Sequence, residues 1–158
     1  MIFDLEITQV PNAERLFLNI LSRQAHSFGS LRAILDTGSP TTIISAADAI
    51  RLNIPANSLD SGDPIKGFGR GGIPSKKVRS FSLALKSRDN TIKRIDMPLS
   101  VVDINALRSM PQEFKENVYR IPTIIGLDFL KFSRMKLMVD LASNIAFLES
   151  QEEPVKQE

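Results

Sequence analysis

The chain has 158 residues, 42% of them apolar and 24% charged, with a formal net charge of +2 and no cysteine. That is the size and balance of one soluble globular domain, too short for two full lobes, and it excludes a disulfide framework or a thiolate metal centre. No uncharged apolar run nears the roughly 18 residues of a membrane span. Met1-Ile-Phe-Asp-Leu-Glu6 also puts acids where a secretory leader needs cations and then apolar residues, so a cytoplasmic protein that meets no membrane is expected.

Residues 1–10 and 14–21 carry short apolar alternations (Ile2, Leu5, Ile7; Leu16, Leu18, Ile20) around a turn at Pro11-Asn12. A strand over 31–35 runs into Asp36-Thr37-Gly38-Ser39, and the β-branched Thr41-Thr-Ile-Ile44 predicts that a strand resumes there. Ser45 to Leu52 reads as a short helix with Ser45 as N-cap and Asp48 three residues on, an Asp variant of the capping box, with Pro55 on its far side. Phe81, Leu83 and Leu85, then Ile95, Met97, Leu99 and Val101, predict two half-buried strands joined across Ser87-Arg-Asp-Asn90. Residues 104–120 read as a loop with helical turns broken at Pro111. A short helix over 127–132 and a closing hairpin of 135–140 with 144–149 follow, and the polar tail 150–158 reads as disordered. The expectation is one all-β domain over residues 1–149 with one or two short helices.

Asp36 is the informative residue. An apolar strand that ends in a carboxylate is costly unless a neighbour stabilises the charge or shares the proton. The plainer reading is an Asp turn, in which the side chain accepts a backbone hydrogen bond from two residues on. Context argues for more, because Asp36 lies between apolar strands and not in a polar loop. Asp60-Ser61-Gly62 repeats the triplet among turn residues, Pro55-Ala-Asn-Ser-Leu before it and Asp63-Pro64 after it, and reads as an ordinary turn.

Gly67-Phe-Gly69-Arg-Gly-Gly72 matches the dinucleotide pattern, but that pattern must open a helix, and Ile73-Pro74 and an alternating strand follow instead. Glycines between two extended segments fit a hairpin tip. His26 is the only histidine, so a metal cluster or a Ser-His-Asp triad lacks parts, and no cofactor or metal is expected. Nine cations against Asp89 between Lys66 and Arg94 could attract nucleic acid, but no aromatic residues interleave to stack bases. A solvated hairpin face explains them, and no nucleic-acid partner is expected.

Asp36-Thr-Gly-Ser39, followed at a distance by Ile124-Ile-Gly126, resembles the retropepsin-like aspartic proteases, whose half-sites come from two identical chains. The likeness runs from about residue 5 to residue 149. It implies a closed β-barrel of the acid-protease type with a glycine-rich flap hairpin. In it Asp36 matches the catalytic aspartate, Thr37 the residue whose hydroxyl crosses to the partner chain, and Gly38 the glycine that permits the turn. Ser39, Gly67, Phe68 and Gly69 fall on the substrate side, with Lys66-Gly-Phe-Gly69 as the near arm of the flap. Ile124, Ile125 and Gly126 match the segment behind the active loop. Ile125-Gly-Leu-Asp-Phe-Leu-Lys131 through Val139-Asp-Leu-Ala-Ser-Asn-Ile145 is also similar to the protease-like domain of DNA-damage-inducible ubiquitin-shuttle proteins. Pro40 and Leu127 depart from the acid and arginine that pair in retroviral enzymes, so other contacts must hold that region.

The resemblance implies an endopeptidase in which two Asp36 carboxylates, one from each chain of a homodimer, activate a water against a peptide or protein substrate. One credible acid per chain leads to the same two-fold pair on chemical grounds. The alternative is a catalytically silent homodimer of the same fold that binds peptide. A basic nucleic-acid-binding barrel would leave Asp36 unexplained. Ser39 either donates a hydrogen bond to the outer oxygen of Asp36 or bonds the backbone of its own turn.

Overall fold

The computed structural model of the chain describes residues 1–11, 13–24, 27–67 and 71–151. His26, Phe68, Gly69 and the tail beyond Gln151 lie outside them. The strands are β1 (Ile2–Asp4), β2 (Glu6–Val10), β3 (Ala13–Gln24), β4 (Ser27–Leu35), β5 (Ile43–Ile44), β6 (Asp60–Ser61), β7 (Ser75–Lys86), β8 (Ile92–Val102), β9 (Ile124–Ile125), β10 (Met135–Asp140) and β11 (Ile145–Ser150). The helices are α1 (Ala46–Arg51), α2 (Ile104–Arg108), α3 (Gln112–Arg120) and α4 (Leu127–Ser133).

The architecture is mostly β, as the alternation implies. One sheet runs β2-β3-β4-β9-β5-β8-β7-β6, and a further pairing of β3 with β7, Leu21 opposite Ala84 and Ser22 opposite Leu83, closes its middle strands into a barrel. Period-two patterning sends Leu18 and Ile20 of β3, Leu31 and Ala33 of β4, Phe81, Leu83 and Leu85 of β7 and Ile95 and Met97 of β8 into one core. Each of the Leu, Ile, Phe and Met side chains among them contributes about 1.5–3 kcal/mol relative to an exposed one. A smaller antiparallel sheet, β1-β11-β10, brings the two ends of the described chain together, with Phe3 opposite Leu148.

Two-residue strands fix the centre of the barrel. β9 lies between β4, to which it is parallel (Ile34 opposite Ile124, Leu35 opposite Ile125), and β5, to which it is antiparallel (Ile43 opposite Ile124). The apolar run before Gly126 is therefore threaded between the strand that enters the Asp36 turn and the strand that leaves it. Ile43, Ile44, Ile124 and Ile125 are all buried, so both faces of these short strands are covered and they carry no alternation.

Three local readings need correction. The strand expected from Thr41 starts at Ile43, because Thr42 spends its amide and hydroxyl on Asp128. Asp60-Ser61 is not a turn but the edge strand β6, paired antiparallel with Lys76 and Lys77 of β7. Residues 104–120 form two helices, α2 capped by the Asp103 carboxylate on the amides of Asn105 and Ala106, and α3 beginning after Pro111. Their apolar faces join a second core cluster in which Leu107 and Val118 meet Ile43, Ala46, Ile73 and Val102. Ser45 caps α1 as expected, accepting from the Asp48 amide at 3.1 Å. Asp48 does not return the bond: the Thr123 hydroxyl lies between, accepting from the Ser45 amide at 3.0 Å and donating to the Asp48 carboxylate at 2.6 Å. Among the described residues no helix is long and apolar enough to cross a membrane.

Candidate active site

Asp36 is the first residue past β4. Its amide donates to the carbonyl of Ile125 at 3.0 Å, so the turn is pinned to β9 at its first residue. The carboxylate is exposed and accepts from the Gly38 amide at 2.8 Å, while the Ser39 amide donates to the Asp36 carbonyl at 3.1 Å. These are the bonds of an ordinary Asp turn, and Thr37 and Gly38 are exposed beside it. What an ordinary turn does not explain is the ground on which it stands.

Behind the loop, Gly126 leaves no room for a side chain. A Cβ there would come within 2.6 Å of the Thr41 carbonyl group and 2.8 Å of the Ser39 oxygen. The segment after it hooks onto the loop: the Leu127 amide donates to Ser39 O at 2.9 Å and the Asp128 amide to Pro40 O at 3.3 Å. The half-buried Asp128 carboxylate then accepts from the Thr42 amide at 2.9 Å and from the Thr42 hydroxyl at 2.7 Å. That hydroxyl, wholly buried, accepts in turn from the Gly126 amide at 3.1 Å. Ile124 and Ile125 are buried between β4 and β5. Asp128 and Thr42 received no role from the sequence, although an acid two residues past Gly126 was a signal for the first.

In front of the loop lies a cleft of about 640 Å3. Asp36, Gly38 and Ser39 line it from the loop, Ile124 from β9, and Ile65, Lys66 and Gly67 from the arm that follows β6. Ile65 and Ile73 exchange backbone hydrogen bonds at 2.8 and 2.9 Å, so the residues on either side of the glycine-rich stretch pair as antiparallel arms. Gly72 must be glycine there: its φ is +72°, and a Cβ would lie 2.7 Å from the Ile65 oxygen. Gly67 also has a positive φ, +99°. Phe68 and Gly69, assigned to the substrate side, fall outside the described residues.

Ser39 lines the cleft, but its hydroxyl donates to the Thr41 carbonyl at 2.8 Å and not to Asp36. The backbone alternative is the one realised. Asp63 is the other acid of the cleft. It is 93% exposed and stands 3.5 Å from Lys77. The basic run is partly spent in the same way, with Lys76 near Asp103 at 3.8 Å, Arg79 on Asp60 at 2.7 Å and Arg88 on Asp4 at 2.6 Å. Acids from elsewhere in the chain thus answer several of the cations that suggested a polyanion surface.

No family model and no curated protein sequence matches the chain. Solved structures do. A retropepsin-like aspartic protease from Rickettsia conorii is similar over 94% of this chain and 88% of its own, with a TM-score of 0.55 and 11% identity. EIAV protease, complexed with the inhibitor HBY-793, is similar over 84% of this chain and 100% of its own, with a TM-score of 0.50 and 20% identity. The retroviral protease-like domain of Ddi1 from Leishmania major is similar over 88% and 92%, with a TM-score of 0.48 and 18% identity. A barrel closed by β3 on β7 and similar over most of its length to the Rickettsia conorii and EIAV structures is the retropepsin-like fold, and this chain has that fold.

Proposed function

We propose that the chain is an aspartic endopeptidase that works as a homodimer, each protomer supplying one Asp36 carboxylate. The observation that carries this reading is an exposed carboxylate in a cleft of about 640 Å3, on a loop pinned from behind by β9. The Rickettsia conorii and EIAV neighbours are named as proteases, which supports it. Asp63, the other acid among the described residues of the cleft, is 93% exposed beside Lys77, whereas Asp36 stands on the loop that β9 pins, so one carboxylate per chain is placed for the chemistry. A partner must bring the second.

Two carboxylates about 3 Å apart cannot both ionise, so the pair holds one shared proton, as in aspartic proteases generally. The ionised member takes a proton from a water as its oxygen attacks the peptide carbonyl carbon, and the protonated member donates to the carbonyl oxygen. Collapse of the tetrahedral diol breaks the C–N bond: one diol hydroxyl returns its proton to the pair as the nitrogen takes a proton from it, so the singly protonated pair is restored. In this reading Thr37 bonds across to the partner beneath the acids and Gly38 keeps the turn tight. The arm through Lys66, Gly67, Phe68 and Gly69 closes over the peptide, with Ser39 on the cleft wall.

Digestion of a peptide library by the wild type beside Asp36→Asn tests this. Asn has the same shape but cannot share or relay the proton, so turnover is expected to fall by about 10²–10⁴-fold, the usual worth of a general acid–base group, with the fold intact. Equal cleavage by the two proteins would sink the assignment. Peptide binding without turnover in the wild type would make the chain a binding module.

A further inference from the structure

With Pro40 and Leu127 where retroviral enzymes pair an acid and an arginine, the Asp36 loop needs another anchor. We propose that Asp128 is that anchor, a positioning residue that sets where the Asp36 carboxylate stands; the inference rests on the peptidase reading.

The argument is geometric. Four consecutive residues after the turn are held from one short stretch: Ser39 and Pro40 by the amides of Leu127 and Asp128, Thr41 by its approach to Gly126, and Thr42 by the Asp128 carboxylate through both amide and hydroxyl. The carboxylate also accepts from the Phe129 amide at 2.7 Å, so its own rotamer is fixed by α4. An ionised oxygen accepting from N–H and O–H groups makes hydrogen bonds roughly twice as strong as neutral ones. Asp36 is itself tied to Ile125 at 3.0 Å, one residue before Gly126. Both ends of the loop therefore refer to the same segment, and only the Asp128 end depends on a side chain.

A displaced loop separates the two Asp36 carboxylates of the dimer. Misplacing a reacting group by about 1 Å can cost 10²-fold in rate while substrate contacts elsewhere persist. Asp128→Asn keeps the size but turns an N–H toward one of the two Thr42 donors. Thr42→Val removes the hydroxyl and keeps the branch.

The test measures kcat, KM and thermal melting for both variants, their combination and Thr42→Ser. Asp128→Asn is expected to lower kcat by about 10–100-fold with KM within about twofold, a loss confined to positioning. The double variant should be no worse than the worse single one, because both break one contact. Thr42→Ser, which keeps the hydroxyl, should recover most of the loss. Turnover of Asp128→Asn within twofold of wild type, or losses that multiply, would overturn the inference. Amide exchange separates it from the peptidase reading. If the wild type cleaves nothing, that reading fails, yet the anchor still requires faster exchange at Thr42 in Asp128→Asn with Leu83 in the barrel unchanged. Unaltered exchange at Thr42 would overturn it as well.

Discussion

The Ser39 hydroxyl donates to the Thr41 carbonyl at 2.8 Å, which turns it away from the Asp36 carboxylate. A donor to an ionised carboxylate lowers its pKa, whereas a donor to the backbone only braces the turn. Ser39→Ala is therefore expected to leave both limbs of the pH–rate profile of peptide cleavage where they are. Stability should fall by about 0.5–1.5 kcal/mol for one lost hydrogen bond. Limbs that both move upward would show that Ser39 turns to Asp36 in the working enzyme. At this scale Asp36, Gly38 and Gly126 were legible because their chemistry is local: a strand that breaks, a turn, a close approach. Asp128 and Thr42 were not. They are 86 residues apart, and nothing in either neighbourhood says which acid will face which amide.

Elements were legible in proportion to how one-sided their burial is. β7 and β8 have one face in the core, so Phe81, Leu83 and Leu85 and their partners on β8 announce themselves. β5 and β9 are buried on all sides and two residues long, and only their apolar character shows. The segment 104–120 is different. Leu107, Met110, Phe114, Val118 and Ile121 keep a helical spacing straight through Pro111, but the proline hides it by dividing the run into α2 and α3. This pair of helices packs on Ile65 and Ile73, the base of the hairpin arm. Leu107 is fully buried in that cluster, so Leu107→Ala is expected to cost about 2–5 kcal/mol, read as a lower denaturation midpoint. Faster amide exchange at Ile65 and Ile73 should accompany it, because their mutual hydrogen bonds stand on the same cluster. An unchanged midpoint would mean that α2 does not support the arm.

The whole molecule is a barrel closed on itself that leaves its one well-placed acid on the surface. The closed barrel followed from the resemblance, not from the residues: the β3–β7 pairing that shuts it joins Leu21 to Ala84, and no short-range pattern encodes it. The second chain follows from the proposed chemistry, which needs a second acid beside Asp36 with which to share a proton. Activity per chain is then expected to fall on dilution, because the working site is present only in the dimer. Mixing gives a sharper measurement. If wild-type chains are equilibrated with a ninefold excess of Asp36→Asn, random pairing leaves about one wild-type chain in ten with a wild-type partner, and cleavage per wild-type chain should drop to about one-tenth. Asn has the shape of Asp, so the Asn chains are expected to fold and pair as the wild type does, and the loss then comes from mixed sites that hold one carboxylate. Cleavage that instead stays proportional to the wild-type chains present, at every ratio and dilution, would mean that a single chain carries the whole site.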